Sequence, residues 1–121
     1  MSHSPQDLHT KVLGRKGEKA VCAYLKANGL KVLERNYRTP FGEADIIAYD
    51  KEKDEIAFIE VKTRTSDQFG TPREAVTADK RRRYMQIAKC YALKLGEEPN
   101  ARFDVAEVDG DCKVDYFQNA F

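Results

Sequence analysis

The chain has 121 residues, of which 34% are charged and 41% are hydrophobic, and its formal net charge at pH 7 is +1. A chain of this length buries roughly two-thirds of its unfolded surface in one core, which excludes a second domain. The mean hydropathy of -0.67 and the lack of a long apolar run exclude a membrane-embedded protein. We expect one globular domain over residues 13–121, preceded by a flexible tail over residues 1–12.

The charges are unevenly distributed along the chain. Residues 1–61 carry ten basic and ten acidic side chains, residues 62–94 carry nine and three, and residues 95–121 carry two and seven. A basic middle third predicts a surface that follows phosphate groups. The small net charge argues against very tight nonspecific binding to nucleic acid.

The first ten residues are polar and lack the apolar core of a secretion signal. Cys22, Cys90 and Cys112 are far apart, and no Cys-x-x-Cys pair occurs, so neither a disulfide framework nor a zinc site is indicated. Both histidines lie in the tail, which also argues against a structural metal. We therefore expect a reducing, cytoplasmic location.

Residues 14–27 predict the first helix, because good helix formers are followed by an Asn-Gly pair that is typical of a helix end. Glu18, Val21 and Leu25 have the spacing of one helix face, so the carboxylate shares the stripe that faces the core. Glu18 is then either a surface residue favoured by the helix dipole or a residue that reaches over the sheet toward a site.

Three strands are predicted next. Residues 31–37 predict an edge strand, and residues 42–49 and 55–64 predict a hairpin around a polar turn at residues 50–54. The hairpin strands are apolar except for a few charged residues, where charges are unexpected. These residues are Asp45, Glu60 and Lys62.

The hairpin register decides which of these side chains share a face. We expect Asp45 to lie opposite Glu60, and the same register then pairs Ile47 with Phe58. Lys62 projects from the same face as the two carboxylates, whereas a slip by one residue would separate them. The other face is apolar and must be buried; it consists of Ile46, Ala48, Ala57, Ile59 and Val61.

Two carboxylates at the mouth of an apolar sheet face repel each other and lose water, which is unfavourable unless a cation compensates. Mg²⁺ and related hard cations do so with oxygen ligands and retained water. Lys62 is placed to hold a water molecule or to neutralise charge on a phosphate. Alternatively, the Glu-x-Lys pair is an ordinary surface ion pair.

After the hairpin, residues 65–72 predict a loop, and Thr77 is expected to cap a helix that runs to about residue 95, where Gly96 ends it. The apolar stripe of this helix consists of Tyr84, Ile87, Ala88, Tyr91 and Leu95. The sheet is completed by predicted strands at residues 101–108 and 113–117. The order of elements indicates an α/β fold with one mixed sheet between helices.

Four consecutive basic residues, Lys80-Arg81-Arg82-Arg83, begin the second helix. They form either a solvated helix face or a contact to a nucleic-acid backbone, because cations at a helix N-terminus oppose the helix dipole. The candidates for phosphate contact are Lys62, Arg64, Arg73, Lys80 and Arg81. Asp104, among apolar neighbours, either supports the site or is an ordinary paired residue.

Asp45 followed by Glu60-Val61-Lys62 resembles the signature of the PD-(D/E)xK nucleases, with Ala44 where that signature often has proline. Over nearly the whole chain the sequence is similar to the small bacterial YraN-like family, which is endonuclease-like and related in fold to archaeal Holliday junction resolvases. The stretches that carry this resemblance are Gly14-Arg15-x-Gly17-Glu18, Gly42-Glu43-Ala44-Asp45-Ile46-Ile47-Ala48, Ile59-Glu60-Val61-Lys62-Thr63-Arg64 and Asn119-Ala120-Phe121.

The resemblance implies a restriction-endonuclease-like fold, a three-layer α/β sandwich with a mixed central sheet flanked by helices. It implies that Mg or Mn is held by Asp45, Glu60 and the Val61 carbonyl. Glu18 completes the acidic cluster, and Lys62 positions the attacking water. The implied partner is DNA, at branched or single-strand junctions, and a homodimer is expected because relatives often use two sites.

The resemblance thus favours a metal-dependent DNA endonuclease. Two alternatives stay open on the sequence. One is a noncatalytic nucleic-acid-binding or scaffolding module of the same fold, in which binding would be indifferent to metal. The other is a nuclease that acts on RNA, which matched DNA and RNA strands would distinguish.

Overall fold

A computed structural model describes residues 5–64 and 78–121, with side chains from residue 14 onward. The predicted loop at residues 65–72 and the predicted cap Thr77 lie outside the described residues. The elements, in chain order, are α1 (Pro5–Ala27), β1 (Leu30–Thr39), β2 (Gly42–Asp50), β3 (Glu55–Thr63), α2 (Ala78–Leu95), β4 (Ala101–Val108) and β5 (Val114–Phe117). Neither described helix has the length and apolarity that crossing a bilayer requires.

The five strands form one sheet in the order β1-β2-β3-β4-β5. Three neighbouring pairs are antiparallel, and β3 and β4 are parallel. A parallel pair needs a long crossover connection, and α2 lies in this one. The predicted α/β fold with a mixed sheet is therefore confirmed.

Each face of the sheet has its own apolar core, because side chains alternate along the strands. On the α1 face, helix residues pack with the strand residues Ile46, Ala48, Ala57, Ile59, Ala106 and Val108. On the α2 face, Tyr84, Ile87 and Tyr91 pack with Ala44, Ile47, Ile56 and Phe58. The division of the hairpin residues between two buried faces thus follows the predicted alternation.

The hairpin register is the predicted one, with Ile47 paired to Phe58. The slipped alternative is excluded. The ladder ends at the pair of Ile46 and Ile59, one position short of Asp45. Pairing of the two strands therefore stops where the charged residues begin.

Two helix details differ from the predictions. α1 begins at Pro5, so residues 5–12 are helical rather than part of the expected flexible tail. Proline suits the first helical turn because its φ is preset and its missing N–H needs no partner there. In α2, Leu95 is 41% exposed and does not belong to the buried stripe. The helix ends at this residue, and Gly96, at φ 78°, closes it with an N–H to Ala92 O bond of 2.9 Å.

Asp104 belongs to a buried network at the turn end of the hairpin. Its Oδ2 accepts from Arg102 Nε at 3.0 Å, and the same guanidinium donates to Asp50 Oδ2 at 2.7 Å. Tyr116 also donates to Asp104 Oδ2, and the Asn119 N–H donates to Oδ1 at 2.9 Å. Asp104 is therefore a paired core residue.

Candidate active site at the ends of β2 and β3

The charged residues of the hairpin lie at one end of the sheet, and the turn between β2 and β3 lies at the other end. The start of β2 lies beside the end of β3 because these strands are antiparallel, which brings Asp45 near Glu60 and Val61. β4 runs parallel to β3, so its last residues reach the same end, where Glu107 pairs in register with Lys62. Three neighbouring strands thus supply side chains to one place.

Asp45 is half-buried and uses a backbone donor of the neighbouring strand. Its Oδ2 accepts from the Val61 N–H at 2.8 Å, where the backbone ladder has already ended. The carboxylate therefore extends the contact between the two strands past the last ladder pair, in the predicted register but without a backbone pair between Asp45 and Glu60. Burial is the main cause that raises the pKa of Asp45 to about 6, and the charges of Glu18, Glu60 and Glu43 add to the rise, against the lowering effect of the Val61 bond.

Glu60 combines one strong contact with one unsatisfied atom. Its Oε1 lies 2.5 Å from Lys80 Nζ on α2, and both side chains are about four-fifths buried. Its Oε2 is inaccessible to solvent and has no hydrogen-bond partner among the described residues. Lys80, predicted as a phosphate contact, here compensates a carboxylate of the site.

Gly17 lets α1 approach the site end of the sheet closely. A Cβ atom on Gly17 would lie 3.2 Å from Thr63 Cγ2, which is tighter than most packing contacts. Glu18 follows it, with only 17% of its side chain exposed and Oε2 4.0 Å from Arg35 Nη2. The predicted stripe is confirmed, since Val21 and Leu25 are fully buried.

Asn36 and Glu43 are part of this site, and our sequence analysis missed both roles. The Asn36 amide, assigned with its nitrogen toward the carboxylates, lies 3.1 Å from Glu18 Oε1 and 3.0 Å from Glu43 Oε1. Asn36 has a φ of 54° within β1, a conformation that asparagine tolerates better than most residues. An asparagine inside a predicted strand could have indicated an irregular backbone at this position.

Glu107 and Tyr84 are two further residues that the sequence analysis did not place here. Glu107 is 4% exposed, and its Oε2 lies 3.0 Å from Arg64 Nη1. Burial raises the pKa of the Tyr84 hydroxyl, and the charges of Asp45 and Glu60 raise it further. Tyr84 belongs to the apolar stripe of α2, and Glu107 is far from the hairpin in sequence, so neither position gave a sign of this site.

The remaining candidates differ in their surroundings. Lys62 is partly buried on β3, and Arg81 is exposed on α2. Arg64, predicted to contact phosphate, pairs with Glu107. Arg73 lies outside the described residues. The structure thus gathers the predicted acidic residues and Lys62 near one end of the sheet, where Arg64 and Lys80 pair with carboxylates.

The carboxylates of the site offer oxygen atoms that could bind a metal ion. Among residues 14–64 and 78–121, no three Asp, Glu, His or Cys side chains are arranged to hold one by themselves. Glu18 instead contacts Asn36 and Arg35, so its role as a ligand stays a prediction. Asp45 and Glu60 offer hard oxygen atoms, and the unsatisfied Oε2 of Glu60 lacks a cation or donor. Two carboxylates with retained water suit Mg²⁺ or Mn²⁺, so the residues fit such an ion.

The profile of a family described as "Uncharacterised protein family UPF0102" matches residues 17–108. The chain belongs to the UPF0102 family. A UPF0102 protein from Thermodesulfovibrio yellowstonii is 45% identical over 109 residues, covering 90% of this chain and 95% of the relative. Another from Clostridioides difficile is 43% identical over 117 residues, covering 94% of this chain and 100% of the relative. This is the YraN family, so the resemblance found in the sequence is confirmed.

The fold of this UPF0102 chain is similar to that of a solved nuclease structure. Hjc, a Holliday junction resolvase from the archaeal hyperthermophile Archaeoglobus fulgidus, matches with a TM-score of 0.52 over 84% of this chain and 72% of the other. The two sequences are 22% identical, so the likeness concerns the fold. The implied restriction-endonuclease-like architecture is confirmed.

Proposed function

We propose that this protein is a Mg²⁺- or Mn²⁺-dependent endonuclease that hydrolyses phosphodiester bonds of DNA. The observation that carries the proposal is the pair of carboxylates at the site end of the sheet. The pKa of Asp45 is raised to about 6, and Glu60 keeps an enclosed oxygen with no partner among the described residues. A divalent cation would offset both the repulsion and the lost hydration.

The residues would divide the work as follows. Asp45 and Glu60 supply carboxylate oxygens. The Val61 carbonyl is a further ligand, because its N–H already faces Asp45 and the two groups of a strand residue point to the same neighbour. Glu18 completes the acidic cluster. A bound divalent cation would neutralise charge on the phosphate and lower the pKa of a water molecule.

Lys62 is the proposed partner of the attacking water. It lies on β3 two residues beyond Glu60 and therefore on the same face of the strand. From there its ammonium group orients the water or neutralises charge that develops on the phosphate. Lys80, which pairs with Glu60 in this structure, would then be released to contact a phosphate.

DNA would be recognised through its backbone and shape. Arg81 is exposed on α2, and Arg64 and Arg73 are the other proposed phosphate contacts. The shared fold with the Archaeoglobus resolvase supports branched or single-strand junctions as the substrate class, by analogy. The free cysteines support a reducing cytoplasmic location, and a homodimer stays a prediction.

The test is cleavage of labelled single-stranded, duplex, flap and four-way-junction DNA with Mg²⁺ or Mn²⁺. We expect metal-dependent cutting that Asp45→Asn and Lys62→Met each reduce by about a hundredfold or more, because each removes a ligand or the water partner. Lys51→Met, in the exposed turn at the other end of the hairpin, is the matched control and should cut normally. Equal cutting by all four proteins would point to a contaminating nuclease and reject the proposal.

One observation favours a second candidate, a noncatalytic nucleic-acid-binding module of the same fold. Lys80 already supplies a cation to Glu60, and no three-carboxylate metal group exists among the described residues. In that case, Mn²⁺ would not raise the melting temperature, and DNA binding would be indifferent to Mn²⁺ and to Asp45→Ala. Stabilisation by Mn²⁺ that Asp45→Ala abolishes would instead show a formed metal site.

A further inference from the structure

Asn36 on β1 is within hydrogen-bond distance of two carboxylates at the edge of the site. Its side-chain nitrogen faces two carboxylates at once, 3.1 Å from Glu18 Oε1 on α1 and 3.0 Å from Glu43 Oε1 at the start of β2. An NH₂ group has two donors, so it can serve both acceptors together. One amide thus joins the helix and the second strand at the edge of the site.

The backbone at Asn36 explains how the side chain reaches this position. Its φ of 54° interrupts the extended conformation of β1, and the ladder pairs Arg35 and Tyr37 with Ile46 and Ala44 but leaves Asn36 out. Glycine would adopt this φ more easily but has no donor, and aspartate would adopt it but has no donor when ionised. The position therefore combines a left-handed backbone with a need for a short side chain that donates.

The charges around Asn36 need such a donor. Glu18 and Glu43 are both negative, and both act on the half-buried Asp45. The arginines beside them are more loosely placed: Arg35 lies 4.0 Å from Glu18 and Arg38 lies 3.7 Å from Glu43, with 49% and 84% of their side chains exposed. Exposed ion pairs of this length contribute little. Asn36 is thus the closest donor to both carboxylates among the contacts that the described residues show.

We propose that Asn36 is a positioning residue, which holds Glu18 and Glu43 side by side so that Glu18 faces Asp45 and the proposed metal site. The inference rests on the proposed function, because it names the residue that orders the acidic cluster. Groups that hold a metal ligand in place typically change metal affinity or activity by about 10- to 100-fold when they are removed. Asn36 acts through Glu18 and does not itself touch the metal.

The experiment measures the dissociation constant for Mn²⁺ by following free Mn²⁺ with electron paramagnetic resonance, so it does not depend on cleavage. Asn36→Gly removes the amide and keeps a residue that favours a φ of 54°. The matched control is Asn119→Gly, because Asn119 also has a positive φ, 50°, but its backbone N–H contacts Asp104 in the other network. Thermal unfolding with EDTA checks that both variants are folded.

We expect Asn36→Gly to weaken Mn²⁺ binding by about tenfold or more and Asn119→Gly to leave it unchanged. In a Glu18→Gln background, Asn36→Gly should add almost nothing, because the residue through which the amide acts is already lost. A purely structural role would instead give the same loss in both backgrounds. That result, or Mn²⁺ binding by Asn36→Gly within about twofold of wild type, would overturn the inference.

A measurement on the wild-type protein covers the case in which Asn36→Gly does not fold. The ¹H–¹⁵N signals of the Asn36 amide, assigned by residue-selective labelling, should shift in Glu18→Gln and in Glu43→Gln, because each loses a charged acceptor. Signals that ignore both substitutions would contradict the contact. Wild-type protein that binds no Mn²⁺ would overturn both proposals, whereas Mn²⁺ binding with the expected pattern but no DNA cleavage would reject only the nuclease.

Discussion

Asp45 is the residue in which the conflict between fold and charge is clearest. It is half-buried, hydrogen-bonded to the Val61 N–H, and surrounded by the negative charges of Glu18, Glu60 and Glu43. Burial and these charges favour its protonated form, and the pKa rises from 3.8 to about 6. When no cation is supplied, Asp45 therefore takes up a proton at a higher pH than an ordinary aspartate does.

This raised pKa predicts how stability depends on pH without divalent ions. The folded state holds the Asp45 proton more tightly than the unfolded state, so its contribution is complete below the unfolded pKa and is lost as the pH rises through about 6. Asp45→Asn keeps an acceptor for Val61 and removes this loss. We expect it to exceed wild type in free energy of unfolding by about 2 kcal/mol at pH 7.5 and by much less at pH 4.5.

Urea unfolding in EDTA at the two pH values measures the difference. Asp115→Asn, at an exposed position of β5, is the control and should follow wild type at both. A gap between Asp45→Asn and wild type that does not change with pH would contradict the raised pKa. With saturating Mn²⁺ at pH 7.5, wild type should have a higher free energy of unfolding than Asp45→Asn, because only wild type is stabilised by the ion.

At the scale of elements, the close packing of α1 on the sheet decides where Glu18 lies. Gly17 is buried against the end of β3 and β4, where an added Cβ would meet Thr63 at 3.2 Å and Val108 at 3.7 Å. Gly14, one turn earlier, has nothing within 4 Å of the same point. The two glycines of this helix thus differ: Gly17 permits close packing of α1 on the sheet, whereas a side chain at Gly14 would meet no other atoms within 4 Å.

This difference predicts opposite effects of the same substitution. Gly17→Leu should lower the free energy of unfolding by about 1–3 kcal/mol, because the side chain must push the helix off the sheet. Gly14→Leu should raise it by about 0.5–1 kcal/mol, because glycine is a poor helix former. Chemical denaturation of both variants tests the pair. A gain in stability for Gly17→Leu would show that α1 does not pack this closely.

At the scale of the whole molecule, a buried arginine ties the turn of the hairpin to the later strands. Arg102 on β4 is 2% exposed and bonds Asp50, Glu55 and Asp104 at 2.7–3.3 Å. Asp104 in turn accepts from the Asn119 N–H, which fixes the chain after β5. The network lies at the end of the hairpin away from the site and holds the sheet together there.

Breaking this network should be far more costly than breaking a surface pair. Arg102→Met leaves Asp104 and Asp50 without their cation, and loss of one partner of a buried pair costs about 3–5 kcal/mol. Lys94→Met removes a 2.8 Å pair with Glu34 in which 54% of the lysine is exposed, and should cost about 1 kcal/mol or less. Thermal or urea unfolding compares them, and similar losses would contradict a structural role for Arg102.

Local pattern was enough for most of the fold. The alternation of apolar residues predicted the hairpin and its register, and β4 has the predicted bounds. The start of α1 was missed because the polar first ten residues were interpreted as a tail, although Pro5 is a residue that suits a first helical turn. The exposure of Leu95 was missed because helical spacing places it on the apolar stripe, although it is the last residue of α2.

The site was predicted in part, through its acidic residues and Lys62. Its partners were not: Asn36, Lys80 and Glu107 each contact a residue at least 18 positions away in sequence. Glu43 meets Asn36 across the turn between β1 and β2. The sequence gives the sign of the charge on Arg64 and Lys80 but not that Glu107 and Glu60 face these two side chains. Contacts of this kind follow from how the elements pack.

The sequence alone determined the class of the molecule: an α/β fold with a mixed sheet, a hairpin with two carboxylates and a lysine, and membership of the UPF0102 family. These follow from periodicity and short motifs, which depend on neighbours within a few residues. Only the tertiary structure decided that Asp45 takes the Val61 N–H, that Lys80 compensates Glu60, and that Asn36 joins two carboxylates. The physical reason is that charge compensation acts through space, between groups that the chain itself keeps far apart.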